Sequence, residues 1–374
     1  MRKDFKMKII CDKDVITSAV SGVSKAVSSK AAMPVLEGIY VKASGSVATF
    51  IGYDLSIAIK TTVEADVREE GGIIINARLF SDFLRSARQS VSITTDEKNN
   101  VKLASGSAEI SIAGRSISEF PEIPEVEDNN SVSMEYDMFK KMVNQTVFAT
   151  AVEDNNQLFK GVNFEFRENM IRLVGIDGKR LAIRNEKVIN EKELSFIVPA
   201  KTLTELVRLT SDDAETVDIT LDRNHVSFFA GGFTVISRLI YGDYVKYETI
   251  IPQEREIEIR VNVRDFINAI ERVSLMITER VKSPVRIALR DNTINFRCIS
   301  EVGVATDSIE CENNSESAIV LGFNNKYMLD ALKATDCDEV KMEFISPIKP
   351  IKITPLEGDD FIFIVMPVQV ELEQ

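Results

Sequence analysis

The chain has 374 residues, of which 44% are apolar and 28% charged, with a formal net charge of −13. That length is too great for one core and predicts two to four domains, at about 100–200 residues each. A single histidine argues against histidine-dependent catalysis or a histidine metal site, and we expect no metal or cofactor. The four cysteines lack a CxxC motif and the N-terminus lacks a long apolar core, so we expect a cytoplasmic protein with reduced thiols.

Each third of the sequence begins with a strand-like segment that changes into a helical pattern. Alternating apolar residues give way to i, i+3/i+4 spacing in three segments, which start at Met7, Val132 and Ile257. Asp14, Asp137 and Asp265 fall near the predicted helix starts. A carboxylate there suits the free backbone amides and the helix dipole.

A hairpin-like segment and a second strand–helix motif follow in each third. This motif is GIIINARLFSDFLRSA at 72–87, ELSFIVPAKTLTELVRLT at 193–210 and SAIVLGFNNKYMLDALKAT at 317–335. Short strands separated by turn residues complete each copy. The repeat of about 120 residues far exceeds a solenoid unit of about 20–50 residues. The sequence therefore predicts three tandem α+β domains, each with two helices packed on antiparallel sheets.

Two linkers divide the three copies. Residues 120–130, FPEIPEVEDNN, are acidic and rich in proline, and residues 244–256 contain IIPQERE. Proline in these stretches disfavours a continuing helix or central strand. We therefore expect three domains, which span residues 1–128, 129–252 and 253–374.

The predicted helices are more basic than the rest of the chain. They span residues 13–30, 77–89, 137–151, 200–210, 263–282 and 325–335, and each carries a net positive charge within a protein of net charge −13. Helices gathered on one side would form a basic face that attracts phosphates without reading bases. Equally, Lys and Arg are common on solvated helix faces of any protein. The charge pattern alone leaves both readings open.

Several short motifs, in order along nearly the whole chain, resemble the bacterial DNA polymerase III beta subunit family, the sliding clamps. They are MKIICDKD from Met7, MPVLEGIYV at 33–41, IGYDLSIAI at 51–59, EFPEIP at 119–124, GIDGKRLA at 175–182, FIVPAKTLTEL at 196–206, GFNNKYMLDAL at 322–332 and IVMPV at 364–368. Residues 1–6 precede the usual family start.

The resemblance implies a DNA-clamp fold and a head-to-tail homodimeric ring, with helices lining the hole and sheets outside. Such a ring encircles double-stranded DNA without sequence specificity and gives the polymerase processivity. It has no catalytic activity, and opening it is left to a separate clamp loader. By analogy, the seam joins the last strands of the first domain, with Ile110 and Ile112, to the third domain's first helix, with Leu275 and Met276.

The family also implies a hydrophobic groove between the second and third domains. It holds a short peptide of the replicative polymerase, the clamp loader and other proteins with a clamp-binding motif. Matching motif by motif places these residues at the groove: Phe159, Ile176, Gly178, Lys179, Arg180, Leu181, Val245, Ile250, Asn324, Tyr327, Ile348, Pro350, Ile364, Val365, Met366, Pro367 and Val368. Arg180 and Asn324 are expected to fix the peptide backbone. Without the family resemblance, IDGK alone predicts a hairpin turn and IVMPV alone predicts a buried strand.

The expected DNA-facing residues are cationic. Lys30 and Lys201 stand at motif positions that the family uses for backbone contact, whereas the others follow only from their placement on helices: Arg78, Arg85, Arg88, Lys140, Lys141, Arg208, Arg272 and Arg280. Two departures concern the groove. Val245 and Lys246 stand where the family often has Pro-Asp, and the acidic tail at 371–374 extends past the usual end.

Two other functions remain possible from the sequence. An enzyme would need a catalytic cluster, but the chain lacks GxxxxGK[ST] and lacks GxGxxG after a strand. Asp177 near Arg180 could form a catalytic pair, although its counterparts Asp54 and Glu301 favour a repeated structural turn. A monomeric repeat scaffold that binds only proteins is the second alternative, and the mass in solution distinguishes it from a ring.

Overall fold

The computed structural model describes residues 7–28, 33–126, 130–189, 193–211, 213–277, 283–315 and 317–370. The chain divides into two compact units, Met1–Asp137 with Lys201–Leu239, and Met138–Ala200 with Ile240–Gln374. Within the described residues there are six α-helices, two in each third of the chain. They are α1 (Lys13–Val23), α2 (Ala77–Ser86), α3 (Tyr136–Val147), α4 (Ala200–Leu209), α5 (Val263–Val273) and α6 (Asn325–Ala334).

Each third begins with a strand and a helix, continues with several strands and a second helix, and ends with further strands. The first third contains β1 (Lys8–Cys11), β2 (Gly38–Ser44), β3 (Val47–Tyr53), β4 (Ile57–Glu64), β5 (Asp66–Glu69), β6 (Gly71–Asn76), β7 (Val91–Thr95), β8 (Asn100–Ser105) and β9 (Ala108–Ala113). The second contains β10 (Ser131–Glu135), β11 (Gly161–Arg167), β12 (Met170–Ile176), β13 (Arg180–Lys187), β14 (Leu194–Pro199), β15 (Thr216–Leu221), β16 (His225–Ala230) and β17 (Phe233–Arg238). The third contains β18 (Ile257–Asn262), β19 (Val285–Arg290), β20 (Thr293–Ser300), β21 (Gly303–Glu310), β22 (Glu312–Asn313), β23 (Ile319–Phe323), β24 (Glu339–Phe344), β25 (Ile351–Thr354), β26 (Phe361–Val365) and β27 (Pro367–Val368).

Successive repeats share their sheets. In the first unit, β4 of the first repeat pairs with β17 of the second, which joins eight strands in the order β10-β15-β16-β17-β4-β3-β2-β6. In the second unit, β13 pairs with β26, which joins nine strands in the order β14-β11-β12-β13-β26-β25-β24-β18-β22. Each unit adds a five-stranded sheet, β5-β1-β7-β8-β9 or β21-β20-β19-β23-β27. All strand pairs are antiparallel, as the sequence predicts.

Local sequence accounts for how the helices begin. The Asp12 side chain caps α1 by accepting from the backbone N–H groups of Asp14 and Val15, at 2.9 and 3.2 Å. Asn262 caps α5 in the same way through Asp265 N–H. Asp14, Asp137 and Asp265 all lie in first helical turns, which confirms the predicted helix starts.

Several helices end earlier than the sequence predicts. The prediction that α5 continues to residue 282 is wrong, because the α-helix ends at Val273 and passes into the 3₁₀ turn Ser274–Met276. Leu275 and Met276 therefore lie in this turn. Similarly α1 ends at Val23, and α2 ends at Ser86, so Arg88 follows the helix and does not lie on it. Lys30 and Arg280 lie outside the described residues.

No helix in the part of the chain that the structure describes is long and apolar enough to cross a membrane.

Candidate partner-binding groove

The candidate groove starts at the turn between β12 and β13. The Asp177 carboxylate accepts from the backbone N–H groups of Lys179 and Arg180, at 2.8 and 2.9 Å, and so closes a tight turn. Gly178 in this turn has φ +79°, a left-handed conformation that suits glycine. Asp54 closes the equivalent turn of the first repeat through the N–H groups of Ser56 and Ile57. The structural reading of these aspartates is confirmed.

Arg180 joins this turn to helix α6. Its Nε donates to Asp177 Oδ2 at 3.0 Å and its Nη1 to Asp330 Oδ2 at 2.6 Å. The guanidinium also lies over the Tyr327 ring, 4.7 Å from the centroid, and the side chain is only 8% exposed. Much of its hydrogen-bonding capacity is thus used within the protein. Less of it faces a peptide than the sequence suggests.

The C-terminal segment forms the next part of the groove. Strand β26 pairs with β13, with Val365 opposite Arg180 and Ile364 opposite Leu181. Met366 N–H then donates to the Lys179 carbonyl at 2.9 Å. The following residues, β27, leave this sheet and pair with β23. Met366 therefore lies where the chain crosses from one sheet to another.

An apolar cluster lies beside this crossing. Its buried members are Val174, Ile176, Leu181, Ile183, Tyr247 and Ile364, and partly buried side chains of Phe159, Tyr244, Val245, Ile250, Ile251 and Ile362 pack against it. The structure thus brings together six of the groove residues that the sequence suggests. Of these, Ile176, Leu181 and Ile364 lie in the interior, whereas Phe159, Val245 and Ile250 are partly open to solvent. These last three can offer apolar surface to a partner.

The other suggested groove residues are placed around the cluster. Asn324 caps α6 by accepting from the N–H groups of Lys326 and Tyr327, so its oxygen is already engaged. Ile348 is exposed in the turn before β25, and Pro350 is partly buried directly before that strand. Val365 is buried, Met366 and Pro367 are partly buried, and Val368, Gly178 and Lys179 are exposed.

Residues outside the suggested set also shape the region. Asp330 and Phe148 contact Arg180, and Tyr244 and Tyr247 place the linker against the sheet. Burial raises the pKa of Tyr244 above its ordinary range, and its hydroxyl donates to the Val174 carbonyl at 3.1 Å. Both tyrosines lie in the linker that the sequence singles out. Nothing in the sequence points to Asp330.

Of the eight suggested DNA-facing cations that the structure describes, five lie next to carboxylates. Arg85 pairs with Asp82, Lys141 with Asp336, Lys201 with Asp54, Arg208 with Glu205, and Arg272 with Asp307. Arg78 and Arg88 are exposed, and Lys140 is partly buried. Acidic neighbours reduce the positive field of these side chains, so contact with phosphates would be weak and salt-sensitive.

The suggested seam residues lie beside two sheet edges. Ile110 and Ile112 belong to β9, the last strand of its five-stranded sheet, and both are partly buried. Leu275 is 76% exposed, next to Met276, whose sulfur lies 3.6 Å from where a Cβ on Gly303 of β21 would be. Strand β21 is the end strand of its own sheet.

The described residues include candidate metal ligands and four cysteines. Among them, no group of three or more His, Cys, Asp or Glu residues could hold a metal ion. All four cysteines are free, and burial raises the pKa of the Cys11 and Cys311 thiols to about 11, with Asp12 adding to the effect at Cys11. Such thiols are poor nucleophiles at neutral pH.

Comparison with known families agrees with this architecture. Three domain models of the DNA polymerase III beta subunit match the chain: the N-terminal domain at residues 7–124, the central domain at 133–246 and the C-terminal domain at 248–369. The chain belongs to this family. It is therefore a sliding clamp, a non-catalytic processivity factor built from three tandem clamp domains.

Individual clamps are similar over their whole length. The beta sliding clamp of Bacillus subtilis is 30% identical over 376 residues, which cover 97% of this chain and all of that one. The crystal structure of the Bacillus subtilis clamp has a TM-score of 0.94 at 29% identity, over 98% of this chain and 100% of that one. A putative DNA polymerase III beta subunit from Eubacterium rectale has a TM-score of 0.92 at 33% identity, over 97% and 99%.

Proposed function

We propose that two copies of this clamp join head to tail into a closed ring around duplex DNA. The observation that carries the proposal is an exposed apolar patch at the edge strand β21. Leu275, Val302 and Val304 are all exposed there. Large exposed apolar side chains at a sheet edge favour association, since both apolar surface and unpaired backbone groups gain partners.

The other side of the seam is strand β9 of the first repeat, with Ile110 and Ile112. A head-to-tail contact that closes after two copies leaves neither edge open. In this proposal each copy supplies three clamp domains, residues 1–128, 129–252 and 253–374. A cytoplasmic location belongs to the same proposal.

The enclosed duplex meets cations that contact only its phosphate backbone. The candidates are Lys30, Arg78, Arg85, Arg88, Lys140, Lys141, Lys201, Arg208, Arg272 and Arg280. Because Lys and Arg bind phosphates without reading bases, such contacts carry no sequence specificity. The pairing of five of these cations with carboxylates keeps each contact weak, which suits movement along DNA.

The apolar groove is the site at which the ring tethers its partners. We propose that short peptide segments of the replicative polymerase, the clamp loader and other clamp-binding proteins lie on Phe159, Val245, Ile250, Met366 and Val368. Aliphatic and Met side chains form an adaptable apolar surface that accepts several different peptides. The buried residues Ile176, Leu181 and Ile364 form the base beneath it, whereas Val365, the next residue on β26, packs into a different core cluster. The remaining suggested residues surround the groove: Gly178, Lys179, Arg180, Asn324, Tyr327, Ile348, Pro350 and Pro367.

Truncation of Met366 tests the groove. Met366→Ala removes apolar surface at the sheet crossing without touching the backbone hydrogen bond of that residue. We expect peptides from the polymerase to bind roughly tenfold more weakly, about 1.4 kcal/mol, as measured by fluorescence anisotropy. The matched control is Val152→Ala, which truncates an apolar side chain that is 90% exposed. Equal affinity of the Met366 variant and the wild type would show that the groove lies elsewhere.

A further inference from the structure

Tyr247 is the buried residue of the linker segment, which we define as residues 244–251. It begins the 3₁₀ turn Tyr247–Ile250, and its side chain is only 2% exposed. Its neighbours Lys246, Glu248 and Thr249 are exposed. The Tyr247 ring belongs to the same apolar cluster as Val245 and Ile250, which lie two residues before it and three after it. The position of this ring therefore governs where both side chains lie.

The hydroxyl of Tyr247 reaches a buried carboxylate. It donates to Glu165 Oε1 at 2.9 Å and accepts from Arg172 Nη1 at 3.3 Å. Burial, opposed by the Arg172 hydrogen bond and aided by the Glu165 charge, raises the pKa of Tyr247 to about 12. The hydroxyl thus keeps its proton at neutral pH and remains a donor. A hydrogen bond to a carboxylate is stronger than one between neutral groups.

Glu165 is held in place by its own neighbours. The carboxylate, in a residue that is 9% exposed, also accepts from Asn163 Nδ2 at 3.0 Å and from Arg167 Nη2 at 3.1 Å. Arg172 in turn donates from Nε to Asn185 Oδ1 at 2.7 Å. Asn163 and Glu165 belong to β11, Arg172 to β12 and Asn185 to β13. The two partners of the Tyr247 hydroxyl, Glu165 and Arg172, are thus held by three adjacent strands of a sheet.

We infer that the Tyr247–Glu165 hydrogen bond positions the linker wall of the peptide groove. This inference rests on the proposed peptide-binding function and deepens it. When Val245 and Ile250 are already ordered before the peptide binds, binding does not lose the conformational entropy of ordering them. Tyr247 and Glu165 are positioning residues, since they act through Val245 and Ile250 and not by contact with the peptide.

The test compares Tyr247→Phe with Tyr241→Phe. Both changes remove one tyrosine hydroxyl near the linker, but the Tyr241 side chain is 97% exposed. The probe is the tightest-binding member of a set of overlapping peptides tiled across the replicative polymerase of the same bacterium. We expect Tyr247→Phe to weaken its binding about fivefold, mainly through faster dissociation, and Tyr241→Phe to leave it unchanged.

Hydrogen exchange separates positioning from general stabilisation. In Tyr247→Phe, backbone amides of residues 245–251 should exchange faster while those of β11 and β12 keep wild-type rates. Glu165→Gln retains an acceptor for the hydroxyl and should keep most of the peptide affinity, whereas Glu165→Ala should lose about as much as Tyr247→Phe.

Wild-type affinity in Tyr247→Phe would overturn the inference. Faster exchange throughout the sheet would also overturn it, because the hydroxyl would then stabilise the fold in general. If no tiled peptide binds the wild-type chain, the proposed groove function fails and the inference fails with it. That outcome is distinct, since it appears before any variant is measured.

Discussion

Arg180 is expected from the sequence to bind a partner peptide, but its side chain also stabilises the fold. Its guanidinium donates to Asp177 in its own turn and to Asp330 on α6, and it contacts the rings of Tyr327 and Phe148. A buried cation with two carboxylate partners is costly to remove, because the carboxylates then lose their counter-charge. The residue therefore links the groove turn to the helix that carries Asn324 and Tyr327.

Replacement of Arg180 with Met tests this link. Met keeps an apolar stem but leaves Asp177 and Asp330 without their cation, and we expect a loss of about 3 kcal/mol in the free energy of unfolding. The measurement is the urea midpoint of the variant. The matched control is Arg68→Met, which breaks an exposed pair with Asp66 of a kind that contributes about 0–1 kcal/mol. Similar midpoint shifts in the two variants would contradict the structural role.

Leu181 is a residue whose burial could not be predicted from the sequence. The motif GIDGKRLA predicts a groove position for this residue, but the sequence cannot show that the side chain is buried. Burial follows from the pairing of Leu181 with Ile364 of β26, which lies far along the chain. For the same reason Asp330 could not be assigned to Arg180. The burial of a side chain and the identity of its ion-pair partner depend on long-range contacts, which local sequence patterns do not encode.

At the scale of elements, a glycine lets a helix end approach a strand closely in each of the first two repeats. A Cβ at Gly52 on β3 would lie 2.0 Å from the Val23 carbonyl oxygen at the end of α1. A Cβ at Gly175 on β12 would lie 2.2 Å from the Thr146 carbonyl oxygen near the end of α3. Both distances are far below van der Waals contact. Glycine thus allows the end of the first helix to contact the sheet in the first and second repeats.

Substitution of these glycines with alanine should therefore destabilise the fold. In Gly175→Ala the α3 backbone must move, and we expect a loss of about 2 kcal/mol or more, measured by urea unfolding. Gly52→Ala tests the same contact in the first repeat and should change stability in the same direction. An unchanged midpoint in both variants would show that the helix ends have room to shift.

The exposed apolar patch at β21 makes the seam testable. Leu275→Asp places a charge where the proposed ring has an apolar contact, and charges are depleted at the centres of interfaces. We expect the sedimentation mass to fall from that of a dimer towards the 41.8 kDa of one chain. Ile189→Asp is the control, because Ile189 is 94% exposed and takes no part in the proposed seam. A dimer that survives Leu275→Asp would contradict this placement of the contact.

Helix ends were harder to predict than helix starts. Asp and Asn caps give the starts a local signal, whereas the stretch after α5 contains neither Gly nor Pro to mark a stop. The helix instead ends through a 3₁₀ turn and an extended residue, Ile277, with φ −86° and ψ 126°. In the first repeat α1 likewise passes from Val23 into the 3₁₀ turn Ser24–Ala26, and the extended residue Val27 follows.

At the scale of the whole molecule, the threefold order of elements could be predicted but the sharing of sheets could not. Each repeat keeps its own hydrophobic periodicity, which suffices to place strands and helices. The junctions β4–β17 and β13–β26 join strands from different repeats. Long-range pairing of that kind leaves no local signature, so the sequence predicts the three tandem domains but not which strands join their sheets.

Topological linkage to DNA is the central claim, and it does not depend on strong charge. The chain has a net charge of −13, and five of the ten suggested DNA-facing cations pair with carboxylates. A protein held only by phosphate contacts would dissociate as salt rises, because counterions compete for the backbone. A closed ring would remain on DNA that has no free end.

The direct measurement loads the clamp onto a nicked circular duplex with its clamp loader and ATP, and then isolates the DNA at raised salt. The account predicts that the clamp stays on the circle and is lost soon after a restriction enzyme linearises it. Capping the ends of the linear DNA with bulky blocks should restore retention. Equal loss from circular and linear DNA would contradict encirclement.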